Sequence, residues 1–120
     1  MPSRHGPTQR YPRVARVNEL LREVLADALE RLRDKEDAVE LLTVTGVECT
    51  PDLRQATVYL SSLSDEAAEV LEERRGQLQH LVASQVRMKR TPRLTFVVDP
   101  AVVQGRAVDE ALRRISPKGT

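Results

Sequence analysis

Residues 64–98 read SDEAAEVLEERRGQLQHLVASQVRMKRTPRLTFVV, and their pattern predicts two consecutive helices followed by a strand. Ser64 before two acidic residues is typical of a helix start, because a hydroxyl caps free backbone amides and carboxylates favour the positive end of the helix dipole. The apolar periodicity breaks at Arg74-Arg75-Gly76, which predicts a kink or a junction between two helices. Thr91-Pro92 ends the second helix, and apolar residues alternate from Leu94 onward as in a strand.

A helix and a β-hairpin are predicted before this segment. From Pro12 onward, apolar residues recur at steps of three and four, which is the period of one helix face. In the stretch 41–49, rich in Val and Thr, the alternation changes phase at Gly46, and a glycine at such a point indicates a β-bulge. Thr50-Pro51-Asp52 is typical of a turn, and residues 56–60 alternate like a strand with one buried face. The two strands are therefore predicted to form an antiparallel hairpin.

The predicted order is helix, strand, strand, helix, helix, strand. Because it does not alternate as a doubly wound sheet would, it indicates an α+β fold in which helices cover one face of a small three-stranded mixed sheet. Residues 1–10 contain Pro and Gly among polar and basic residues and are predicted to be a flexible basic arm. Residues 11–100 are the folded domain. Residues 101–120 are a C-terminal extension, in which the apolar spacing between Val108 and Ile115 predicts a short helix.

The composition favours one globular domain. Of the 120 residues, 40% are hydrophobic and 31% are charged, which separates the chain from disordered and membrane-embedded classes. With no Trp, one Phe and two Tyr, the core must be built from Leu, Val and Ala, and few rings are left to stack on bases. No secretory signal and no apolar run of roughly 20 residues is present, so we expect a cytoplasmic location. A single cysteine excludes an internal disulfide, and there are too few soft ligands for a metal site.

The charges are segregated along the chain, although the net charge is only +1. Up to Arg16 every charge is positive, and from Asp65 to Glu73 every charge is negative. From Arg74 to Val98 every charge is positive again. A protein that is nearly neutral in sum can therefore carry a basic face.

The strongest candidates for nucleic-acid contact surround the start of the third predicted strand; they are Arg87, Lys89, Arg90 and Arg93. Arginine offers planar paired donors that match phosphate oxygens. A stripe of such residues beside a turn fixed by proline can follow a nucleic-acid backbone without reading its sequence. A structural alternative stays open, in which these charges only complement the negative end of a helix dipole.

Two further groups of basic residues are candidates: Arg10, Arg13 and Arg16 near the N-terminus, and Arg74 and Arg75 at the predicted junction. The first group contacts RNA as the arm orders on it, or is an ordinary basic terminus. The second group contacts phosphates, or pairs with acids of the preceding turns such as Glu72 or Glu73.

No arrangement typical of an enzyme is recognisable. A nuclease or modifying enzyme would need convergent carboxylates, a nucleophile with its base, or a Gly-rich phosphate loop. His80 lacks such a nucleophile and is interpreted as a helix residue, and Cys49 as a small filler of the core. The acidic run 65–73 is interpreted as a solvated helix face. We therefore predict no catalysis, no cofactor and no small-molecule substrate.

Several segments, in this order and at these spacings, resemble the ribosome-binding factor A family. They are Tyr11–Val17 at the entry to the first helix, Thr43–Glu48 with Asp52-Leu53 and Ala56–Leu60 in the hairpin, and Arg87–Phe96 with Asp99 around the third strand. The αββααβ order matches the type II KH arrangement that this resemblance implies.

The helix pair departs from a conventional KH domain. Such a domain clamps single-stranded nucleic acid with a Gly-x-x-Gly loop, and no two glycines here are three positions apart. The resemblance implies that a kinked helix pair with an Ala-x-Gly sequence replaces this loop. Gly76 is at the matching position, whereas position 74 is Arg where the family pattern has Ala.

The resemblance implies a non-enzymatic, monomeric assembly factor. Such a protein binds the small (30S) ribosomal subunit and the 5′-region helix of its 16S rRNA during late maturation and rRNA processing, and leaves before translation. Contact with a membrane is not expected. The alternative is a protein–protein interaction module, which recruits another assembly factor through its sheet edge or C-terminal helix while RNA binding is incidental.

Overall fold

The structure is a computed structural model that describes residues 12–115. In chain order, its elements are α1 (Pro12–Leu32), a 3-10 helix (Asp37–Val39), β1 (Val44–Cys49), β2 (Gln55–Leu60), α2 (Asp65–Glu73), α3 (Arg75–Gln85), β3 (Arg93–Val98) and α4 (Pro100–Ile115). The predicted basic arm, residues 1–10, lies outside the described residues, and so does Arg10.

The three strands form one mixed sheet in the order β1-β2-β3. The central strand β2 pairs antiparallel with β1 and parallel with β3, so that Val58 lies between Val47 and Phe96. The register of the β1–β2 pair shifts between Val44 and Gly46, which confirms the predicted bulge. From α1 to β3 the elements follow the αββααβ order, so the predicted KH-like α+β fold is confirmed.

Side chains of the turn between β1 and β2 hold it closed. The Thr50 hydroxyl donates to Asp52 Oδ1 at 2.6 Å, and the same oxygen accepts the Arg54 backbone amide at 3.1 Å. Leu53 takes a positive φ of 59°, which is a left-handed conformation that a tight turn imposes. The predicted turn at residues 50–52 is therefore confirmed.

The core is built almost entirely from Leu, Val and Ala, as the composition predicts. The central strand is the most buried element, with Ala56, Val58 and Leu60 inaccessible to solvent. Against it pack apolar faces of the helices, including Leu21 of α1 and Leu71 of α2, and each fully buried side chain of this kind contributes roughly 1.5–3 kcal/mol. Because α1 contacts β1, α3 contacts β3, and α1 and α3 contact each other, these two helices cover the same face of the sheet.

The helix pair begins and breaks where the sequence predicts. The Ser64 hydroxyl accepts the Ala67 amide at 3.0 Å and thus caps α2. The junction falls on Arg74, whose φ and ψ of −94° and 2° are not helical. Gly76 lies in the first turn of α3, its φ is not positive, and a Cβ added there would meet nothing within 4 Å. The break in direction therefore does not depend on the special conformational freedom of glycine.

Two boundaries before β3 differ from the predictions. β1 begins at Val44 rather than at residue 41, because the backbone of Leu42 is already bonded to Val39 O and to the Arg33 guanidinium. α3 ends at Gln85, well before Thr91, because Val86 turns to an extended conformation and enters the core.

The C-terminal helix is longer than predicted and follows β3 directly. Asp99 is buried, and its Oδ1 accepts the Ala101 amide at 2.9 Å while its Oδ2 accepts the Thr45 hydroxyl at 2.6 Å. Asp99 and Pro100 are the favoured residue types for a helix cap and a first helical position, and they begin α4. From the sequence alone, this pair is predicted only to end the strand.

Candidate nucleic-acid interface

The loop between α3 and β3, residues 86–92, alternates between buried apolar and exposed basic side chains. Val86 is only 5% exposed, Pro92 is fully buried, and Met88 packs against the core. The intervening side chains of Arg87, Lys89 and Arg90 are exposed, and so is that of Arg93 at the start of β3. The apolar residues thus fix the backbone of the loop, and the cations lie on its outer side.

Side chains of α3 hold the end of this loop. Gln79 donates to Pro92 O at 3.0 Å and accepts the Leu94 amide at 2.8 Å, in the way a neighbouring strand would. Arg75 donates to Leu94 O. Because β3 is an edge strand, these bonds satisfy backbone groups that β2 cannot reach, and they set the position of Arg93.

The four loop cations are available for an external partner. Within residues 12–115, none of the side chains of Arg87, Lys89, Arg90 and Arg93 makes an ion pair or a hydrogen bond. The pKa of the Glu72 carboxyl lies below its ordinary value mainly because Arg75 donates a hydrogen bond to it, and the charge of Arg93 contributes less. α3 ends at Gln85, so the four cations lie beyond the helix. Because the effect of a helix dipole falls off beyond the last turn, complementing the dipole explains little of their placement.

Arg54 adjoins this cluster and was missed by the sequence analysis. Its carbonyl accepts the backbone amide of Arg93 at 2.9 Å, which places the hairpin turn beside the start of β3. The Arg54 side chain is 63% exposed, and its distance of 3.9 Å to an Asp52 oxygen is that of a loose, solvated pair. Only the parallel register of β2 and β3 reveals this proximity, because the two arginines are far apart in sequence.

The N-terminal half of α1 lies at the same end of the sheet. Asn18 Oδ1 accepts the Cys49 amide at 2.8 Å, while at the other end of the helix Arg33 donates to Leu42 O at 2.6 Å. α1 therefore runs antiparallel to β1, and the exposed side chains of Arg13 and Arg16 lie near the hairpin turn. The cations at this end of the sheet together form the basic end: Arg13, Arg16, Arg54, Arg87, Lys89, Arg90 and Arg93.

Arg74 and Arg75 lie at the junction of α2 and α3 and are engaged within the protein. Arg74 forms an ion pair with Glu36 at 2.6 Å and donates to Gln77 Oε1 at 3.2 Å. Arg75 pairs with Glu72, and its guanidinium carbon lies 6.0 Å from the centroid of the Phe96 ring. For Arg75, the ion-pair alternative with Glu72 is the arrangement that the structure has.

The acidic helix α2 begins away from the basic end, and its last turn approaches Arg93 through Glu72. α2 begins next to the end of β2 at Leu60, which is the opposite end of the sheet, and it contacts the 3-10 helix. Its carboxylate side chains are exposed, as expected for a solvated face. The segregation of charge along the sequence is therefore kept in space at the start of α2, whereas Glu72 near its end lies close enough to Arg93 to feel its charge.

Metal ligands are not clustered in the described part of the chain. Residues 12–115 contain no group of three His, Cys, Asp or Glu that could hold a metal ion. Burial raises the pKa of the Cys49 thiol to about 11, so the thiol is protonated and unreactive near neutral pH. His80 is exposed on α3. None of the described helices combines the length and the apolar character needed to cross a bilayer.

A family model and individual known proteins match this chain over most of its length. The family model described as "Ribosome-binding factor A" matches residues 13–112. The ribosome-binding factor A of Rubrobacter xylanophilus is 38% identical over 108 residues, covering 87% of this chain and 88% of that protein.

Two solved structures resemble this one. The crystal structure of ribosome-binding factor A from Thermus thermophilus is 32% identical with a TM-score of 0.63, covering 71% of this chain and 93% of that one. A Thermus thermophilus homology model fitted into the cryo-EM map of a 30S complex with that factor is 29% identical with a TM-score of 0.60, covering 69% and 91%.

Proposed function

Since this chain belongs to the ribosome-binding factor A family, we propose that it binds the small ribosomal subunit during late steps of subunit assembly. The Thermus relative fitted into the map of a 30S complex supports a ribosomal partner. The finer proposal is that the basic end contacts the 5′-region helix of 16S rRNA while the rRNA matures, without catalysis. The protein would do this as a cytoplasmic monomer.

The observation that carries this proposal is the construction of the loop 86–92. Its buried anchors hold the backbone, so the exposed cations need little further ordering when phosphates bind. Guanidinium groups form paired hydrogen bonds with phosphate oxygens, and ammonium groups add charge. A rigid basic loop can therefore dock on a folded RNA backbone.

Recognition by this surface relies on phosphates and shape more than on bases. Among the residues that the structure describes, the basic end contains no aromatic side chain. Phe96 is half-buried beside Arg75, and the Tyr59 hydroxyl donates to Glu48 at 3.1 Å on the sheet. Proteins that bind single-stranded nucleic acid usually stack its bases on aromatic rings, and this surface offers none for that purpose. Structured rRNA, recognised through its backbone, is the better match.

Charge reversal in the loop tests the proposal. The variant Arg87→Glu/Arg90→Glu places carboxylates where phosphates are expected, so co-sedimentation with purified 30S subunits should weaken by at least about tenfold. Because both side chains are exposed and unpaired, the thermal midpoint should move by no more than about 2 °C.

The matched control is Arg31→Glu/Lys35→Glu, which changes the net charge by the same amount at the other end of α1. This control should co-sediment like the unchanged protein. Equal losses in both variants would show that only net charge matters, and unaltered co-sedimentation of the loop variant would remove the basic end from the interface.

A further inference from the structure

A cleft of about 320 Å³ lies between the C-terminal half of α1 and the N-terminal half of α3. Its floor is apolar and is formed by Ala28 and Leu32 of α1 and by Leu78 and Leu81 of α3. Three of these side chains are buried and Leu81 is half-buried, so the floor is continuous with the core. The volume is at the small end of the roughly 300–1,000 Å³ typical of binding pockets, which suits one or two apolar side chains.

The rim of the cleft is basic. Arg31 lies in the last turn of α1 and Lys35 in the turn that follows the helix, and both line the cleft. Neither forms an ion pair within the described residues, so both positive charges are available to a partner. The opposite rim is formed by His80 and by Arg74, whose charge is already paired with Glu36, so the free positive charge of the rim comes from Arg31 and Lys35. No carboxylate lines the cleft along the part of the chain that the structure describes.

We propose that this cleft binds an acidic segment of a partner protein, which places an apolar side chain between α1 and α3 and carboxylates beside Arg31 and Lys35. An amphipathic helix seated in a groove between two helices is a common mode of peptide recognition. The apolar floor provides affinity through burial, and the basic rim selects acidic partners over basic ones.

Other occupants match the cleft less well. The terminal segments of this chain carry positive charges at Arg4, Arg10 and Lys118 and would be repelled by the rim. RNA matches less well because the apolar floor offers nothing to a charged phosphate backbone, and no aromatic ring among the lining residues could stack on a base instead. The acidic helix α2 of a second copy has the right charge, but such a contact would join different surfaces head to tail and would favour open-ended assembly.

The cleft and the basic end can be occupied at the same time. Arg16 and Arg31 are separated by fifteen helical residues, a distance of roughly 22 Å along α1. A partner in the cleft therefore leaves the loop 86–92 uncovered, so that the protein can hold an acidic protein segment while it is bound to RNA.

Binding of designed peptides tests the proposal. The probe is a fluorescein-labelled helical peptide with leucines at i and i+4 flanked by glutamates, and fluorescence anisotropy measures its affinity for the full chain. We expect Arg31→Glu/Lys35→Glu to weaken binding by at least about tenfold, and Arg87→Glu/Arg90→Glu to leave it within about twofold. Amide chemical shifts on adding the probe should change around Leu32 and Leu81.

Control peptides separate the two components of recognition. Replacing the leucines by serine, or the glutamates by lysine, should abolish binding. Binding of the serine peptide as strong as that of the probe, or equal binding by the Arg31→Glu/Lys35→Glu variant, would overturn the proposal.

Two further outcomes would assign the cleft to another occupant and would likewise overturn the proposal. The first is displacement of the probe by an oligonucleotide of the rRNA helix. The second is self-association that is lost in Arg31→Glu/Lys35→Glu. Because the subunit assay depends on Arg87 and Arg90 instead, failure of the cleft proposal leaves the proposed function intact.

Discussion

The thiol of Cys49 lies half-buried near the end of β1, where burial raises its pKa from 9.0 to about 11 because desolvation disfavours the thiolate. At pH 8 we expect the folded protein to react with a disulfide reagent such as DTNB roughly a hundredfold more slowly than the urea-unfolded chain, since its thiolate fraction is smaller by that factor. Stopped-flow labelling between pH 7 and pH 10 measures this difference. Equal rates for the folded and unfolded chains would contradict the burial of Cys49.

The same shift has a consequence for stability. Because the folded chain holds the thiol proton more tightly, the contribution of Cys49 to stability is complete below pH 9. It is lost as the pH rises from 9 towards 11, where the unfolded chain ionises first.

Pairing of charged residues shows which contacts the sequence can predict. Arg75 and Glu72 are three positions apart on adjoining helices, so their pairing could be expected from spacing alone. Arg74 pairs with Glu36, which is thirty-eight positions away, and no local pattern indicates this contact. The fold brings the 3-10 helix region against the junction of α2 and α3, and only then do these side chains meet.

A substitution at Gly76, in the first turn of α3, tests whether the junction between α2 and α3 needs a glycine. Gly76 has space for a Cβ and a helical conformation, so Gly76→Ala should raise the free energy of unfolding by about 0.5–1 kcal/mol. Urea denaturation followed by circular dichroism measures the change.

The function of the Gly76→Ala variant provides the control. Its co-sedimentation with 30S subunits should equal that of the unchanged protein, because the kink falls on Arg74. A destabilised variant would show that the junction requires glycine after all.

Element types were predictable from periodicity, whereas several ends of elements were not. The apolar stripe of α1 and the alternation of β2 are local properties of the chain. The end of α3 depends on Val86 entering the core, and the start of β1 depends on Arg33 occupying Leu42 O. Tertiary contacts overrode local propensity at these boundaries. Such contacts form between residues distant in sequence, so the pattern of a single sequence does not reveal them.

For the molecule as a whole, the basic end was only partly predictable. The cluster at residues 87–93 is visible in the sequence because its members are adjacent. The addition of Arg54 requires the parallel pairing of β2 with β3, and the approach of Arg13 and Arg16 requires the direction of α1 along β1. Non-local register and helix direction therefore turned separate basic residues into one end of the protein.

Salt dependence of subunit binding measures how many phosphates this end contacts. Each neutralised phosphate adds roughly 0.7–0.9 to the slope of log affinity against log salt concentration, so Arg87→Ala/Arg90→Ala should reduce the slope by roughly 1.4–1.8. Affinities for 30S subunits across a series of KCl concentrations provide the slope.

The matched variant Arg31→Ala/Lys35→Ala should keep the slope of the unchanged protein. A slope near zero for the unchanged protein would indicate that contacts with ribosomal proteins, rather than with rRNA, hold it on the subunit.

The bonds from Gln79 and Arg75 to the outer side of β3 also bear on aggregation. An uncovered edge strand is a template to which strands of other molecules can add, and proteins protect such edges in various ways. Here the protection comes from side chains of a helix that precedes the strand in the chain. During translation residues 75–85 are synthesised before residues 93–98, so the covering groups are already present when the vulnerable edge emerges. A nascent chain built in this order limits the time in which its last strand can pair with that of a neighbour.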